Sequence, residues 1–435
     1  MISFTQFATL LGSTLVVWSL VHFAVAWFFD AQIVRKRLAT FDAASDCKFA
    51  PKASVLMSLR GCDPRLKLNL RGLLGQAYDD FEIIVVIDSR QDPAWQVAME
   101  VKSIDDAADR LRIFELQEPS STCSLKCSSL VQAAQQIRSD GEVVVLVDAD
   151  VVPHPNWLRD AVRPLVNPLV GVVTGNQWYA PESTDAGGID TGSLLRGIWN
   201  SGAIAATAIN ANPWAGTCAM RLSDVKRSGL IEKWTTSVVD DGPIKPALDR
   251  LGLQVYFDPR LIMVNRDQCT TAFAGRYVTR MLTWSRIYEK TFVNTVIHAV
   301  AMVTLLASSM TVFVIAALSG NAIAASSMGL SMLISNFVMF AGFRSTERAV
   351  SHAIRCRSGE NQIAPMGLAT SLRVFGLIPI CQVAHVYWTI KAIFARQAQW
   401  RNITYRLHPQ QRVEMVAYQP FVADATLCMA PQRSI

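Results

Sequence analysis

Glu142-Val143-Val144-Val145-Leu146-Val147-Asp148-Ala149-Asp150-Val151-Val152-Pro153 is the stretch whose reading decides the fold. The aliphatic, mostly β-branched run Val143 to Val147 has the length and composition of a strand buried on both faces. It ends in two carboxylates. Residues two apart in an extended segment point the same way, so Asp148 and Asp150 can face one ligand. Hard oxygen donors at the carboxyl end of a parallel strand suit Mg²⁺ or Mn²⁺ carrying a diphosphate. Taken alone, the residues also fit a strand end followed by a solvated turn, with Pro153 and Pro155 supplying the bend. The rest of the chain decides between these readings.

The 435 residues are 51% hydrophobic and only 17% charged, which predicts membrane spans as well as a soluble core. The net charge of +6 gathers partly beside the apolar segments, which favours a membrane surface and gives no reason to expect nucleic acid. Nine cysteines without a paired framework predict free thiols. Cys123 and Cys127 lack the further ligands that a zinc site needs.

Working outward from the acidic strand, an α/β alternation begins at Ala53. Strands are predicted at Ser54 to Leu59, Phe81 to Ile87, Leu111 to Leu116, Val170 to Gly175 and Gln254 to Phe257. Helices are predicted at Leu66 to Leu74, Trp95 to Arg110, Ser128 to Arg138, Asn156 to Leu165, Leu194 to Ile209 and Ile244 to Leu251. Tyr179 to Thr191 reads as loop. This order implies a mainly parallel sheet with helices on both faces. Neither a dinucleotide fingerprint nor a P-loop is present. The second strand ends in Asp88. A small-residue stretch, Trp214 to Arg221, would allow close approach to a ligand, and a second acidic pair, Asp240-Asp241, precedes a helix. Such a pair can also serve as a helix cap.

Phe7 to Phe29 is long and apolar enough to span a membrane, and Arg35, Lys36 and Arg37 follow it, so an uncleaved anchor is predicted with its C-terminal side in the cytoplasm. Arg276, Arg280, Trp284 and Arg286 lie at helical spacing in an amphipathic segment, 270–291. Two apolar runs, Val293 to Leu318 and Ile323 to Phe343, form a hairpin, followed by a loop with Arg344, Arg348, Arg355 and Arg357. Gly367 to Phe394 is interrupted by Arg373, Gly376 and Pro379. A single span there would leave the tail outside, whereas Arg396, Arg401, Arg406 and Arg412 favour inside, and the two indications conflict. His22, His298 and His385 fall in apolar segments, where they serve either function or helix packing. The domain plan is therefore an anchor (1–34), a catalytic domain (45–269), the amphipathic segment (270–291), a membrane region (292–395) and a basic tail (396–435).

Together these stretches resemble membrane-bound family 2 glycosyltransferases, in particular the ceramide glucosyltransferase type and its bacterial lipid-glycosylating relatives. Ser54-Val55-Leu56 with Arg60-Gly61-Cys62-Asp63-Pro64 is similar to the family's opening strand and turn. Val86-Ile87-Asp88-Ser89-Arg90-Gln91-Asp92-Pro93-Ala94 is similar to its second strand end. Leu125-Lys126 keeps the lysine of an N-P-K stretch, and Trp400-Arg401-Asn402-Ile403-Thr404-Tyr405-Arg406-Leu407 resembles the closing W-R-x-x-x-Y-R-L. The [QR]-x-x-R-W signature appears as Arg280-Met281-Leu282-Thr283-Trp284, with Thr283 where the second Arg is expected.

The resemblance implies a GT-A-like (Rossmann-like) α/β domain with an N-terminal anchor helix and C-terminal transmembrane helices. It implies a metal-dependent, inverting transfer from a UDP-sugar donor to a lipid acceptor at a membrane, expected to be a bacterial inner membrane with the catalytic domain on the cytoplasmic side. Asp148 and Asp150 would hold Mn²⁺ or Mg²⁺. Asp88, Asp92, Lys126, Asp148, Arg280 and Trp284 would bind the nucleotide sugar, and Asp241 would be the base. A processive polysaccharide synthase and a catalytically inactive nucleotide-sugar-binding scaffold are the competing expectations, the latter because of Thr283.

Overall fold

The computed structural model describes residues 2–42, 49–104, 109–182, 188–357, 362–409 and 411–421. The end of the expected Trp95 to Arg110 helix, the middle of the Tyr179 to Thr191 loop and the tail beyond Phe421 include positions outside these residues.

The chain begins with α1 (Phe4–Phe28), which continues through a π-helical turn (Phe29–Arg35) into α2 (Lys36–Asp42). The α/β part follows as β1 (Ala53–Leu59), α3 (Leu66–Leu74), β2 (Phe81–Ile87), α4 (Pro93–Ile104), β3 (Leu111–Glu115), α5 (Leu125–Gln135) and β4 (Val143–Val147). It continues with α6 (Trp157–Val162), β5 (Val170–Tyr179), α7 (Thr191–Ile209), β6 (Thr217–Arg221), α8 (Leu222–Ser228), α9 (Leu230–Trp234), α10 (Ile244–Asp249) and β7 (Gln254–Asn265). After α11 (Thr271–Tyr288) come the long helices α12 (Phe292–Leu318), α13 (Ala322–Arg355) and α14 (Leu368–Phe394), then β8 (Gln397–Trp400), β9 (Ile403–Leu407) and β10 (Val413–Ala417).

The main sheet has the order β3-β2-β1-β4-β6-β5-β7. β1 pairs in parallel with β2 and β4, and β5 with β7, while β6 runs antiparallel between β4 and β5. The expected mainly parallel GT-A-like sheet is thus present, with one reversed strand. Alternating side chains feed two cores. Val55, Met57, Val145 and Val147 pack with Leu70, Trp157 and Leu158 on one face. Leu56, Ile84, Val144 and Leu146 pack with Leu130, Trp234 and Leu248 on the other. Parallel strands covered on both sides need near-continuous apolar runs, and all five residues of β4 are buried.

Two strands depart from the expected limits. β5 does not stop at Gly175: the register with β7 shifts between Thr174 and Asn176, and a Cβ at Gly175 would sit 2.0 Å from the Leu261 carbonyl oxygen. The glycine marks a bulge, and the strand runs on to Tyr179. Thr217–Arg221, read from the sequence only as part of a small-residue stretch, is β6 itself.

Among the described residues, four helices are long and apolar enough to cross a membrane. α1 and α13 run side by side from the same end. Asn321 Nδ2 donates to Thr5 Oγ1 at 3.1 Å, Thr9 lies 3.3 Å from Ser327, and a Cβ at Gly12 would come 2.4 Å from Ser331 Oγ. Such small-residue contact lets helices approach closely. The α12–α13 turn therefore sits at the end remote from the sheet, and the basic end of α13 returns to it: Arg357 donates to the carbonyls of Arg260 and Ile262 at 2.9 and 2.7 Å.

The fourth helix behaves differently. α14 stays whole despite Pro379. Arg373 near its start donates to Thr191 Oγ1 of α7 at 3.3 Å, Trp199 of α7 donates to His385 Nδ1 at 3.2 Å, and Arg286 of α11 donates to the carbonyls of Ile393 and Ala395 at its end. Both ends of α14 meet the catalytic side. Its outer face carries Leu368, Leu372, Ile380, Val383, Tyr387, Ile390 and Phe394, all exposed at helical spacing. Near its start α14 also packs on the middle of α13, where Asn336 donates to the Phe375 carbonyl at 3.0 Å, and the tail that follows α14 returns to the catalytic domain. Residues 396–421, expected only as a basic tail, include the three-stranded antiparallel sheet β10-β9-β8, which buries Ile403 and Tyr405 in the second core.

Candidate active site

The carboxyl ends of β1, β2 and β4 lie on one side of the sheet, where open α/β sheets bind ligands. The turn after β4 is held from behind. Asn69 of α3 donates to the Asp148 carbonyl at 3.0 Å and to that of Val151, and Asp148 N–H reaches the Gly216 carbonyl at 3.2 Å. That bracing fixes the turn that carries the two carboxylates.

Lys126, the second residue of α5, joins the two acidic pairs. Its ammonium lies 2.6 Å from Asp148 Oδ1 and 2.9 Å from Asp240 Oδ2. Burial opposes its charge, but Asp148 and Asp240 hold the Lys126 ammonium well above its usual range. The second acidic pair is not a helix cap, since no side-chain hydrogen bond caps α10. Asp241 has no side-chain hydrogen bond among the described residues. Burial, then the neighbouring Asp240, pushes its carboxyl up to about 7. A carboxylate of that basicity is suited to accept a proton near neutral pH.

Asp150 is placed by two residues absent from the sequence-based set. Gln177 and Asn265 donate to its Oδ2 at 3.0 and 3.1 Å. Its Oδ1 is buried without a hydrogen-bond partner. Burial, with Asp148 and Asp63 nearby, pushes this carboxyl up to about 7. An orphaned buried carboxylate oxygen beside a second carboxylate fits a divalent cation whose other positions come from a diphosphate and water. Among the described residues, no cluster of three or more His, Cys, Asp or Glu forms a closed metal cage. Gln177 and Asn265 escaped notice because they lie on the parts of β5 and β7 beyond Gly175 and Phe257.

Arg280 of α11 stands over the Tyr277 ring at 5.9 Å, within electrostatic reach of Asp150 and Arg401. Arg401 is fixed by Asp63, with N···O distances of 2.8 and 2.7 Å, and occupies the β8–β9 turn, where Arg401 and Asn402 both have positive φ. The cations around the acidic turn are thus Lys126, Arg280 and Arg401. Thr283 is buried and donates to the Thr279 carbonyl of its own helix at 2.7 Å. Arg286 is committed to the end of α14, and Arg276 is exposed. Trp284 packs against the second core.

The two remaining expected nucleotide ligands are differently employed. Asp92 is fully buried and accepts from Gly61 N–H at 2.7 Å and Ala94 N–H at 2.9 Å, so it shapes the turn before α4 and does not face the crevice. Asp88 does lie at the crevice, but its oxygens are taken by Arg60, Tyr418 and Phe421.

A relay of polar and aromatic contacts leads from the acidic turn toward the apolar helices. Gln177 accepts from Tyr179 at 2.6 Å, Tyr179 meets Tyr277 at 2.7 Å, and the Tyr277 ring lies edge-on to Trp199 at 6.4 Å. Trp199 donates to His385, whose ring contacts His298 at 5.5 Å, and His298 is 2.7 Å from His22.

The model of a family described as Glycosyl transferase family 21 matches residues 15–413. A search of curated proteins gives no match. Among solved structures, the chain is similar to a mannosyltransferase from Pyrobaculum calidifontis in complex with GDP-Man and Mn²⁺, at 15% identity and a TM-score of 0.45, over 88% of this chain and 97% of that one. It is also similar to glucosyl-3-phosphoglycerate synthase from Mycobacterium tuberculosis with Mn²⁺, UDP-Glc and phosphoglyceric acid, at 16% identity and a TM-score of 0.37, over 59% and 82%.

Proposed function

The chain belongs to glycosyl transferase family 21, and on that premise we propose that it moves one hexose from a UDP-sugar to the hydroxyl of a membrane lipid, inverting the anomeric carbon. The observation that carries this reading is that Lys126 bridges Asp148 and Asp240, which joins the pair Asp148 and Asp150 to the pair Asp240 and Asp241. Asp148 and Asp150 would hold Mn²⁺ or Mg²⁺, which when bound supplies charge neutralisation to the leaving diphosphate. Lys126, Arg280 and Arg401 add fixed positive charge on the same side. The acceptor oxygen forms its bond to the anomeric carbon as the bond to the diphosphate breaks. Its proton passes to Asp241, and the nucleoside diphosphate departs. A single displacement with one base inverts configuration.

The lipid acceptor is supported by the relay from Gln177 through Tyr179, Tyr277 and Trp199 to the three histidines on α1, α12 and α14. Ionisable side chains among apolar helices are costly unless used. Placement of the catalytic domain on the cytoplasmic side, in a bacterial inner membrane, is supported by the basic residues beyond α1 and at the end of α13, both next to the sheet. Arg401 beside Arg280 offers the second cation that Thr283 lacks, which favours an active enzyme over a scaffold.

The test uses detergent-solubilised full-length protein with a panel of UDP-sugars, Mn²⁺ and a total lipid extract, and reads released UDP. Lipid-stimulated release that disappears in Asp241→Asn is expected. Equal release in the parent and Asp241→Asn would refute the assignment of the base.

A further inference from the structure

The nucleoside end of the crevice is filled by the chain itself. Tyr418 Oη donates to Asp88 Oδ1 at 2.8 Å, and the Phe421 N–H donates to Asp88 Oδ2 at 2.7 Å. The guanidinium of Arg60, itself paired with Asp88, donates to the Gln419 carbonyl at 3.2 and 3.1 Å. It also lies 5.8 Å from the Tyr418 ring and 5.5 Å from the Phe421 ring. Ser89 Oγ donates to the Phe421 carbonyl at 3.2 Å. The Asp88 side chain is left with no exposure.

These contacts have the chemistry of a bound nucleobase: an N–H donor on a carboxylate, a carbonyl on a guanidinium, and flat rings beside that guanidinium. Arg60 follows β1 and Asp88 follows β2, at the same sheet end as Asp148 after β4. Ligands of open α/β sheets bind there, at the point where strand order reverses between β1 and β4. With Tyr418, the Phe421 N–H and Arg60 around it, the Asp88 carboxylate has no exposure, so a base N–H reaches it only when the segment has moved away.

We propose that residues Tyr418–Phe421 occupy the base subsite as an internal competitor, and that a uracil nucleotide binds Asp88 and Arg60 by displacing them. This rests on the donor-site reading given above. The strap is tethered close by: β10 ends at Ala417, and the Met415 N–H is held by the Ser121 carbonyl at 2.8 Å. Its release needs only the segment after β10 to swing away. A competitor of this kind weakens apparent donor affinity by the factor that the closed state exceeds the open one.

The test measures UDP binding by calorimetry, with Mn²⁺ present, for the full-length protein and for Tyr418→Phe and Phe421→Pro. The first variant removes the hydroxyl donor, and the second removes the N–H donor. Each is expected to bind UDP about tenfold more tightly, since a hydrogen bond to a charged group contributes about 1.5–3 kcal/mol. Hydrogen exchange supplies the second readout: the Phe421 amide, protected in the free parent protein, should exchange rapidly when UDP saturates it. Unchanged or weaker UDP binding in both variants, with Phe421 still protected in the UDP complex, would overturn the strap while leaving the donor site standing. Failure of UDP to bind parent and variants alike would overturn the donor site and the strap together.

Discussion

The titration of Asp241 offers the most direct check on the mechanism. Burial and the adjacent Asp240 hold its carboxyl at about 7 instead of near 4, and only the ionised form can accept the acceptor proton. At pH 6 about one molecule in eleven carries it ionised, and at pH 8 about ten in eleven, so the transfer rate should rise about tenfold across that interval. An aspartate of ordinary acidity would give a flat profile there. Asp150 is also pushed up to about 7, so rates are measured at saturating Mn²⁺, which holds that carboxylate ionised and leaves Asp241 to shape the curve. Lys126 opposes the upward push on Asp241. Lys126→Met should therefore move the midpoint to higher pH, by about one pH unit or more, besides lowering the plateau. Asp241→Asn should lose about 10²–10⁴-fold at every pH. A flat parent profile from pH 6 to 8, or the same midpoint in Lys126→Met, would refute the assignment.

Further outcomes follow from the same geometry. Asp150, Asp240 and Asp241 all have raised values, so in the metal-free folded protein these carboxyls hold protons that they have lost in the unfolded chain between about pH 4 and pH 7, and their contribution to stability falls as pH rises through that window, while the buried His154 acts the other way. In detergent and without metal, the Tm at pH 8 relative to that at pH 5 should be lower in the parent than in Asp150→Asn, and Mn²⁺ should recover part of the difference; the same pH dependence in both proteins would contradict this. Gln177→Leu leaves Asp150 Oδ2 with Asn265 alone, and Mn²⁺ affinity should fall about 10- to 100-fold by calorimetry, whereas unchanged affinity would remove Asp150 from the metal site. In a Cys47→Ser, Cys356→Ser and Cys428→Ser background, Glu118→Cys and Arg412→Cys should react with an impermeant maleimide from the same side of the membrane. Labelling from opposite sides would show that α14 crosses it.

Much of the sheet was legible because buried parallel strands announce themselves. Val143–Val147 and Phe81–Ile87 have the limits expected from their aliphatic runs, and so does the helix Leu66–Leu74. β6 was not legible. Its five residues, Thr217-Cys218-Ala219-Met220-Arg221, are short and small, and they become a strand only because β4 and β5 flank them. Gly175 misled for a local reason: a glycine within a strand reads as an end when it marks a bulge. The acidic residues of the site could be found from strand ends and spacing. The residues that hold or balance them could not, since Gln177, Asn265 and Arg401 acquire their roles from strand extension, register and a turn with positive φ. His154 shows the same limit. It sits between two prolines in the turn after β4, yet it is buried, and burial pushes its imidazole down to about 3.

The arrangement also links membrane attachment to construction of the site. The carboxylates come from the sheet, but two of the three nearby cations come from α11 and from the β8–β9 turn, on either side of the apolar helices in sequence. α11 is held against α14 through Arg286 and through the packing of Val278 and Leu282 on Trp388. The end of α1 is not a passive leash either. Phe29, Ile33 and Val34 are buried with Trp178 of β5, Phe257 of β7 and Ala353 of α13. The same β5 and β7 carry Gln177 and Asn265 to Asp150. Removal of the apolar helices would thus expose the outer side of β5 and β7 and release Arg280 and Arg401 from the acidic turn. An isolated segment 45–269 would keep the acidic residues and Lys126 but lose Arg280 and Arg401, so the sheet is a complete fold element but only part of the proposed site.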